Sequence, residues 1–206
     1  MQKFLGLALA AAVLSSGASA NSITTLFNRN NGGSNGGAVY FDAVTNASAL
    51  SVTGLDTGTN DTGIFFTYTV YARAGTSVGF ENTNVGWSVV ATGSGTGAGI
   101  NVPTPVTLDA PFLLAANSTT GLALVIGATA GHDYSGTGTS PAPGALQYSN
   151  ADITLNLGAA GNVPFSGTPF RPRIWNGTLH YTVVPEPATM AALAMGALVL
   201  IRRRRK

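Results

Sequence analysis

Hydrophobic and polar residues alternate with a period of two along several short stretches of the chain. In residues 49–55, Leu50 and Val52 point to one side and Ser51 and Thr53 point to the other. Alternation of this kind is typical of a β-strand with one buried face. Three more stretches repeat it, with inward residues Phe66, Tyr68 and Val70; Ile153, Leu155 and Leu157; and Leu179, Tyr181 and Val183.

Other apolar segments, and the connectors between them, indicate the fold class. We predict further strands at AVYFDAV, VGWSVVAT, TPVTLD and GLALVIGA. The segments NRNNGGSNGG, DTGTNDTG, GSGTGAG, NSTTG and SGTGTSPAPG are rich in Gly, Asn, Ser and Pro and are predicted to be loops. Roughly eight to ten short strands predict an all-β protein, an antiparallel two-layer β-sandwich. We favour a jelly-roll-like sandwich because of the high strand count, with an immunoglobulin-like sandwich as the alternative.

The N-terminus has the three-part organisation of a secretory signal peptide. Lys3 supplies the positive charge, residues 4–14 form the apolar core, and the small residues Ala18 and Ala20 mark the cleavage site. We therefore expect signal peptidase and the general secretion machinery to act on the chain, and the mature protein to begin at Asn21.

The C-terminus combines a proline step, an apolar segment and a block of positive charge. Pro185 and Pro187 flank Glu186, which favours extended backbone and keeps a helix from starting earlier. Residues 188–201 are apolar throughout but fall short of the roughly 20 residues that comfortably cross a bilayer. Long cationic side chains can reach the headgroups, and a positive end stays cytoplasmic. We expect a membrane helix held by the tail residues Arg202, Arg203, Arg204, Arg205 and Lys206.

These three parts, in this order, resemble the PEP-CTERM sorting signal of Gram-negative bacteria. In that family an exosortase, a membrane-embedded cysteine transpeptidase, recognises and processes the tail. The resemblance implies transient insertion in the inner membrane, then release or transfer to the cell surface, often alongside polysaccharide export. The segments WSVVATGSGTGAG, PTPVTLDAPFLLA, YSNADITLNLG and PRIWNGTLHY are also similar to an uncharacterised exported β-sandwich module with no known catalytic or binding residues.

Charge and cysteine content narrow the function classes. The formal charge of +2 conceals a mildly acidic middle, where four arginines stand against seven carboxylates. Such a domain has no electrostatic footprint for nucleic acid, so we expect no nucleic-acid partner. The chain contains no cysteine, which excludes disulfide bonds and thiolate chemistry.

A hydrolase centre would have to use the sequence around His132. Asp133 is adjacent and Ser135 is close by, so a Ser-His-Asp arrangement can be imagined. All three lie in GHDYSG, however, and Gly, Asp and Ser are ordinary turn residues, so we predict a turn-rich loop without catalytic residues. The other histidine, His180, falls on the polar side of a predicted strand and is expected to be exposed.

One acidic segment could bind calcium or could be an ordinary surface loop. Asp56, Asn60 and Asp61 offer oxygen ligands for calcium, but their spacing is not that of an EF-hand. We expect a plain hydrophilic loop, with no metal and no cofactor.

Aromatic side chains can form a platform for sugar rings. Trp87 and Trp175 are the best candidates for ligand binding, followed by Tyr134 and Tyr148. The alternative for each tryptophan is a place in the core, because indole buries a large apolar area. Two arginines precede Trp175 and are expected to stack on an aromatic ring or pair with an aspartate; they are Arg171 and Arg173.

The sequence thus predicts three regions: a signal peptide at 1–20, a β-sandwich at 21–184 and a sorting signal at 185–206. The leading functional hypothesis is an exported, non-enzymatic surface or matrix protein that works with extracellular polysaccharide in a biofilm. The first alternative is a lectin-like, carbohydrate-binding module, and the second is a hydrolase around His132.

Overall fold

The computed structural model describes residues 20–136 and 146–185, and this part of the chain is all-β. Most of its fourteen strands are short, as the alternation and the many glycines predict, and two are long, Thr62–Ala74 and Ser88–Ala98. The strands are β1 (Ala20–Thr24), β2 (Asn31–Asn35), β3 (Ala38–Thr45), β4 (Ala49–Thr57), β5 (Thr62–Ala74), β6 (Ser88–Ala98), β7 (Thr104–Leu108), β8 (Phe112–Leu114), β9 (Thr119–Ile126), β10 (Gly131–Ser135), β11 (Gln147–Ser149), β12 (Ile153–Gly161), β13 (Ile174–Trp175) and β14 (Gly177–Val184).

Eleven strands form one antiparallel sheet that folds over a single core. The order is β1-β14-β4-β7-β6-β5-β9-β3-β12-β11, and β8 pairs with β4 beside β7. The two end strands approach each other, and the Asn150 side-chain amide donates to the Ser22 carbonyl at 3.3 Å. The predicted antiparallel sandwich is therefore confirmed, in a nearly closed form.

The pairing of β3 and β4 shows how the chain passes between the layers. These strands are consecutive in sequence but do not pair: β3 lies between β9 and β12, while β4 lies between β14 and the pair β7 and β8. Such crossovers are typical of Greek-key sandwiches. Jelly-roll-like and immunoglobulin-like sandwiches both contain them, so the choice between these two remains a prediction.

The core is built from the residues that the alternation assigned to the inner face. Leu50, Phe66, Ile153 and Leu179 are fully buried and belong to one cluster, which also includes the inward side chains of β3 and β9. Burying residues of this size contributes roughly 1.5–3 kcal/mol each. The hydrophobic effect thus stabilises a domain that has no disulfide bond.

The glycine-rich segment GSGTGAG is not the loop that the sequence predicted. It forms the second half of β6, where every second residue is a glycine. A Cβ at Gly95 would lie 2.6 Å from the Pro105 carbonyl oxygen and 2.8 Å from the Phe66 ring, and one at Gly93 would lie 2.4 Å from the Thr107 oxygen. These glycines therefore let β6 lie against its neighbours where a side chain would clash.

A second, smaller apolar cluster covers the outer face of β3, β9 and β12. Tyr40 is its largest buried member, and two loops, residues 75–87 and 162–173, close over it with Trp87 and Phe165. Asp42, on the same face, accepts hydrogen bonds from the backbone and side chain of Ser77 at 2.6 and 2.7 Å. These contacts fix both loops on the sheet.

A separate three-stranded sheet, in the order β13-β10-β2, lies at one end of the sandwich. The predicted turn GHDYSG is wrong, because residues 131–135 form β10 and all five are buried. The predicted loop NRNNGGSNGG also contains a strand, β2. Its backbone pairs with β10, and this long-range pairing cannot be inferred from the local sequence. This sheet positions the candidate site.

Candidate functional site

A cleft of about 190 Å³ opens beside the small sheet. One wall comes from β2, another from β10, and the third from the loop between β12 and β13. None of these segments is close to the other two in sequence. The lining residues are Asn31, Gly32, Tyr134, Asn162, Phe170 and Arg173.

Arg173 is the charged residue of the cleft, and it is only 6% exposed. Its backbone amide donates to Gly158 at 3.1 Å, which fixes the start of β13. Its Nη1 donates to the Pro172 carbonyl at 2.8 Å, whereas the buried Nε has no hydrogen-bond partner. Among residues 20–136 and 146–185, no carboxylate lies within ion-pair distance of this guanidinium.

Aromatic rings flank the guanidinium on two sides. Its central carbon lies 5.5 Å from the centre of the Tyr134 ring and 5.7 Å from that of Phe170. Contacts of this type stabilise a cation by roughly 0.5–2 kcal/mol. The expected stacking of an arginine on an aromatic ring is thus found at Arg173. The other arginine, Arg171, pairs with buried Glu81 rather than with an aspartate.

An acidic group, Asp133, lies behind β2. Its Oδ1 is 3.2 Å from Arg29 Nε, while its buried Oδ2 has no partner. Burial raises the pKa of Asp133 to about 6; Arg29 opposes this shift and Asp61 adds to it. The Asp133 carboxylate thus partly neutralises Arg29, whereas Arg173, the cation that lines the cleft, has no carboxylate partner among the described residues.

His132 belongs to a buried polar network centred on Thr57. Thr57 Oγ1 lies 3.2 Å from His132 Nδ1 and accepts hydrogen bonds from Trp175 Nε1 at 3.2 Å and Tyr68 OH at 3.4 Å. His132 Nε2 lies 3.0 Å from the Leu124 carbonyl, so it must be the nitrogen that carries the proton, and Nδ1 accepts from Thr57. Burial lowers the pKa of His132 to about 4, and the bond to Leu124 only partly opposes this.

The imagined Ser-His-Asp arrangement is not assembled. Both ring nitrogens of His132 are engaged by Thr57 and Leu124. Ser135 Oγ is also fully buried, within hydrogen-bond distance of the Asn28 carbonyl at 2.6 Å and Asn176 Oδ1 at 3.0 Å. Each side chain has a structural partner in place of a catalytic one.

The structure places the two tryptophans differently. Trp175 is 1% exposed and stacks on Phe41, with ring centres 5.2 Å apart and planes at 9°, so it lies in the core and cannot contact a ligand on the surface. Trp87 is half-buried in the outer cluster, and its Nε1 donates to the Phe80 carbonyl at 3.0 Å. Tyr148 packs at the edge of the main core. Of the four aromatic candidates, only Tyr134 lines the cleft.

The oxygen ligands suggested for calcium do not converge. Asp56 Oδ2 lies 2.8 Å from Nε2 of the half-exposed His180 on the neighbouring strand. Asp61 instead accepts from the Thr59 hydroxyl at 2.9 Å, within its own loop. Across the described parts of the chain, no three acidic, histidine or cysteine side chains group as a metal site would require.

Arg173 and Tyr134 stand out in the sequence as an arginine and an aromatic residue, but the sequence does not indicate the cleft that they form. The other four lining residues lie in a loop or in a strand that the sequence does not predict; they are Asn31, Gly32, Asn162 and Phe170. A weak signal existed in the number of polar amides around the glycine run NRNNGGSNGG. Only the folded arrangement brings them to Arg173.

The predicted signal peptide and the predicted C-terminal sorting signal lie mostly outside the described residues. Ala20 opens β1 opposite Thr182, and Pro185 is exposed directly after β14. Outside the described residues lie residues 1–19 with Lys3 and Ala18, and residues 186–206 with Glu186, Pro187, the apolar segment and the terminal cations. Within the ranges that the structure does cover, no helix is both long and hydrophobic enough to traverse a bilayer.

The C-terminal residues 183–206 match the family model of the PEP-CTERM protein-sorting motif. The chain carries a PEP-CTERM sorting motif. This motif implies processing by exosortase-type machinery, and it indicates an exported protein that is anchored transiently at the membrane. The match overlaps the end of β14 by two residues, so the PEP-CTERM motif follows the sandwich with hardly any linker.

Comparisons over the rest of the chain are less informative. No curated protein matches it. Two solved structures of infectious bursal disease virus show a distant similarity, one a VP2 subviral particle and the other the Gx strain. Their identities are 16% and 12% and their TM-scores are 0.27 and 0.25. They cover 92% and 98% of this chain, which spans only 50% and 55% of theirs.

Proposed function

We propose that this PEP-CTERM protein is a non-enzymatic component of the cell surface or extracellular matrix that works with exported polysaccharide in a biofilm. The observation that carries the proposal is the sorting motif at residues 183–206. The PEP-CTERM resemblance connects such tails with polysaccharide export, and the folded cargo is a disulfide-free sandwich that depends on no oxidative folding.

The engagement of His132 and Ser135 in the core supports a non-enzymatic role. A general base must reach the proton it abstracts, and both groups are sealed from solvent with their hydrogen-bonding atoms in use. A hydrolase built on these residues is therefore the least supported of the three functions.

A carbohydrate-binding role has one specific observation in its favour. The cleft combines amide side chains, a guanidinium and the exposed ring of Phe170, which are the groups that bind sugar hydroxyls and the flat faces of sugar rings. This cleft replaces the tryptophan platform as the place where such binding would occur.

Cell fractionation tests the main proposal. Antibody detection of the native protein should find it in the surface or matrix fraction, and cells that lack exosortase should retain it in the membrane. Recovery of the full-length protein from the cytosol of normal cells would refute the proposal.

A further inference from the structure

The cleft contains a cation that nothing in the described structure neutralises. Arg173 is 94% buried and its Nε has no acceptor, while the one carboxylate behind β2, Asp133, faces Arg29 through Oδ1 at 3.2 Å. A buried charge without a partner is costly unless an ion of opposite sign completes it. The cation–π contacts offset only part of that cost, so the site favours an anion.

The shape and lining of the cleft restrict what that anion can be. At about 190 Å³ it is smaller than the roughly 300–1,000 Å³ that encloses a drug-sized ligand, so it suits a single ring or a terminal group. Asn162 accepts from the Ser34 amide through Oδ1, at 3.5 Å, which leaves its NH₂ group as a donor at the rim. Among the lining residues that the structure describes, none carries a carboxylate.

Phe170 adds an apolar surface to this set of donors. The residue as a whole is 42% exposed, and its ring centre lies 5.7 Å from the central carbon of the Arg173 guanidinium. A ligand that fits must therefore carry both acceptor oxygens for Arg173 and Asn162 and a C–H face for Phe170. One guanidinium supplies a single positive charge and a planar fork of donors, and a planar, singly charged carboxylate matches it in both charge and geometry.

We infer that the cleft binds the carboxylate of a uronic acid, as a single unit of an acidic polysaccharide. The carboxylate pairs with Arg173, a ring hydroxyl accepts from Asn162, and the ring lies against Phe170. This inference rests on the proposed function, since it names the chemical class of polysaccharide that the exported domain would contact.

Titration of the mature protein, purified from culture, with glucuronate tests this inference. Isothermal calorimetry or NMR should show saturable binding that weakens with added salt, since the pair is electrostatic. Glucose, which lacks the carboxylate, should not bind. Acetate should bind more weakly than glucuronate; equal binding of acetate would show that the sugar ring contributes nothing and would refute the saccharide assignment.

Two substitutions locate the site. Asn162→Asp keeps the acceptor for Ser34 and adds a negative charge at the rim, so it should weaken glucuronate binding by at least about tenfold. Asn82→Asp makes the same change at an exposed loop position outside the cleft and should leave binding unchanged. Arg173→Gln should abolish binding; should that variant fail to fold, Asn162→Asp still decides the question.

Some results would overturn the inference without touching the proposed function. No saturable binding, or equal effects of the two aspartate substitutions, would show that Arg173 is held only by its aromatic neighbours. If the same protein is still recovered from the surface fraction, only the ligand is wrong. If glucuronate binds but the protein is cytosolic, the cleft stands and the proposed location fails.

Discussion

Thr57 offers the sharpest test of how the core is organised. Its hydroxyl is fully buried and satisfies three groups at once, His132, Tyr68 and Trp175. Thr57→Val keeps the size and branching of the side chain but leaves all three without their partner.

The magnitude follows from the geometry. An unsatisfied buried polar group costs about 1–3 kcal/mol. The three contacts are long, at 3.2 to 3.4 Å, so each should lie at the low end of that range. We expect Thr57→Val to lower the free energy of unfolding by about 3 kcal/mol, which is large against a typical domain stability of roughly 5–15 kcal/mol.

Urea denaturation followed by tryptophan fluorescence measures this loss. Thr53→Val, an exposed position on the same strand, is the matched control and should change the unfolding free energy by less than about 0.5 kcal/mol. Thr57→Ser retains the hydroxyl and should cost only about 1 kcal/mol for the lost methyl group. A loss below about 1 kcal/mol for Thr57→Val, or a larger loss for Thr57→Ser, would refute the network.

Two further predictions concern pH and the glycine strand. The pKa of His132 is lowered to about 4 from 6.5 in the unfolded chain, so its titration should remove about 3 kcal/mol of stability as pH falls from 6.5 to 4. The pKa of Asp133 is raised to about 6 from 3.8, so its titration should add a similar amount as pH falls from 6 to 3.8. The intact protein should therefore change little, and Asp133→Asn should reveal the loss in urea titrations at both ends of that range; a flat profile in this variant would contradict the assignment. Gly95→Ala should destabilise the domain by about 1–3 kcal/mol because its Cβ meets Pro105 and Phe66, whereas Gly54→Ala, with no atom nearer than 3.9 Å, should be tolerated; equal thermal stabilities would rule out the close approach.

The alternating strands were predictable because their inward residues are large. Leu50, Phe66 and Ile153 can be buried only if every second side chain faces the core. The second half of β6 was not predictable, because its glycines reflect the closeness of neighbouring strands. The carbonyls of Thr107 and Pro105 leave no room for a side chain at Gly93 and Gly95, and this closeness cannot be inferred from the local sequence.

The candidate site was only partly predictable for a similar reason. Arg173 and Tyr134 could be singled out as residue types, but their meeting with Asn31 depends on the pairing of β2, β10 and β13. The sequence alone does not decide whether Trp175 is exposed or buried. Its stacking on Phe41 and its bond to Thr57, more than a hundred residues away, determine that it is buried.

The central claim is that the β-sandwich is exported and that the C-terminal motif directs its sorting. The intact mass of the mature protein, isolated from the surface fraction of cells with and without exosortase, tests this most directly. We expect the mass from normal cells to correspond to a chain that begins at Asn21 and has lost its hydrophobic, arginine-rich tail, and we expect cells without exosortase to retain that tail. An identical, full-length mass in both strains would contradict the account.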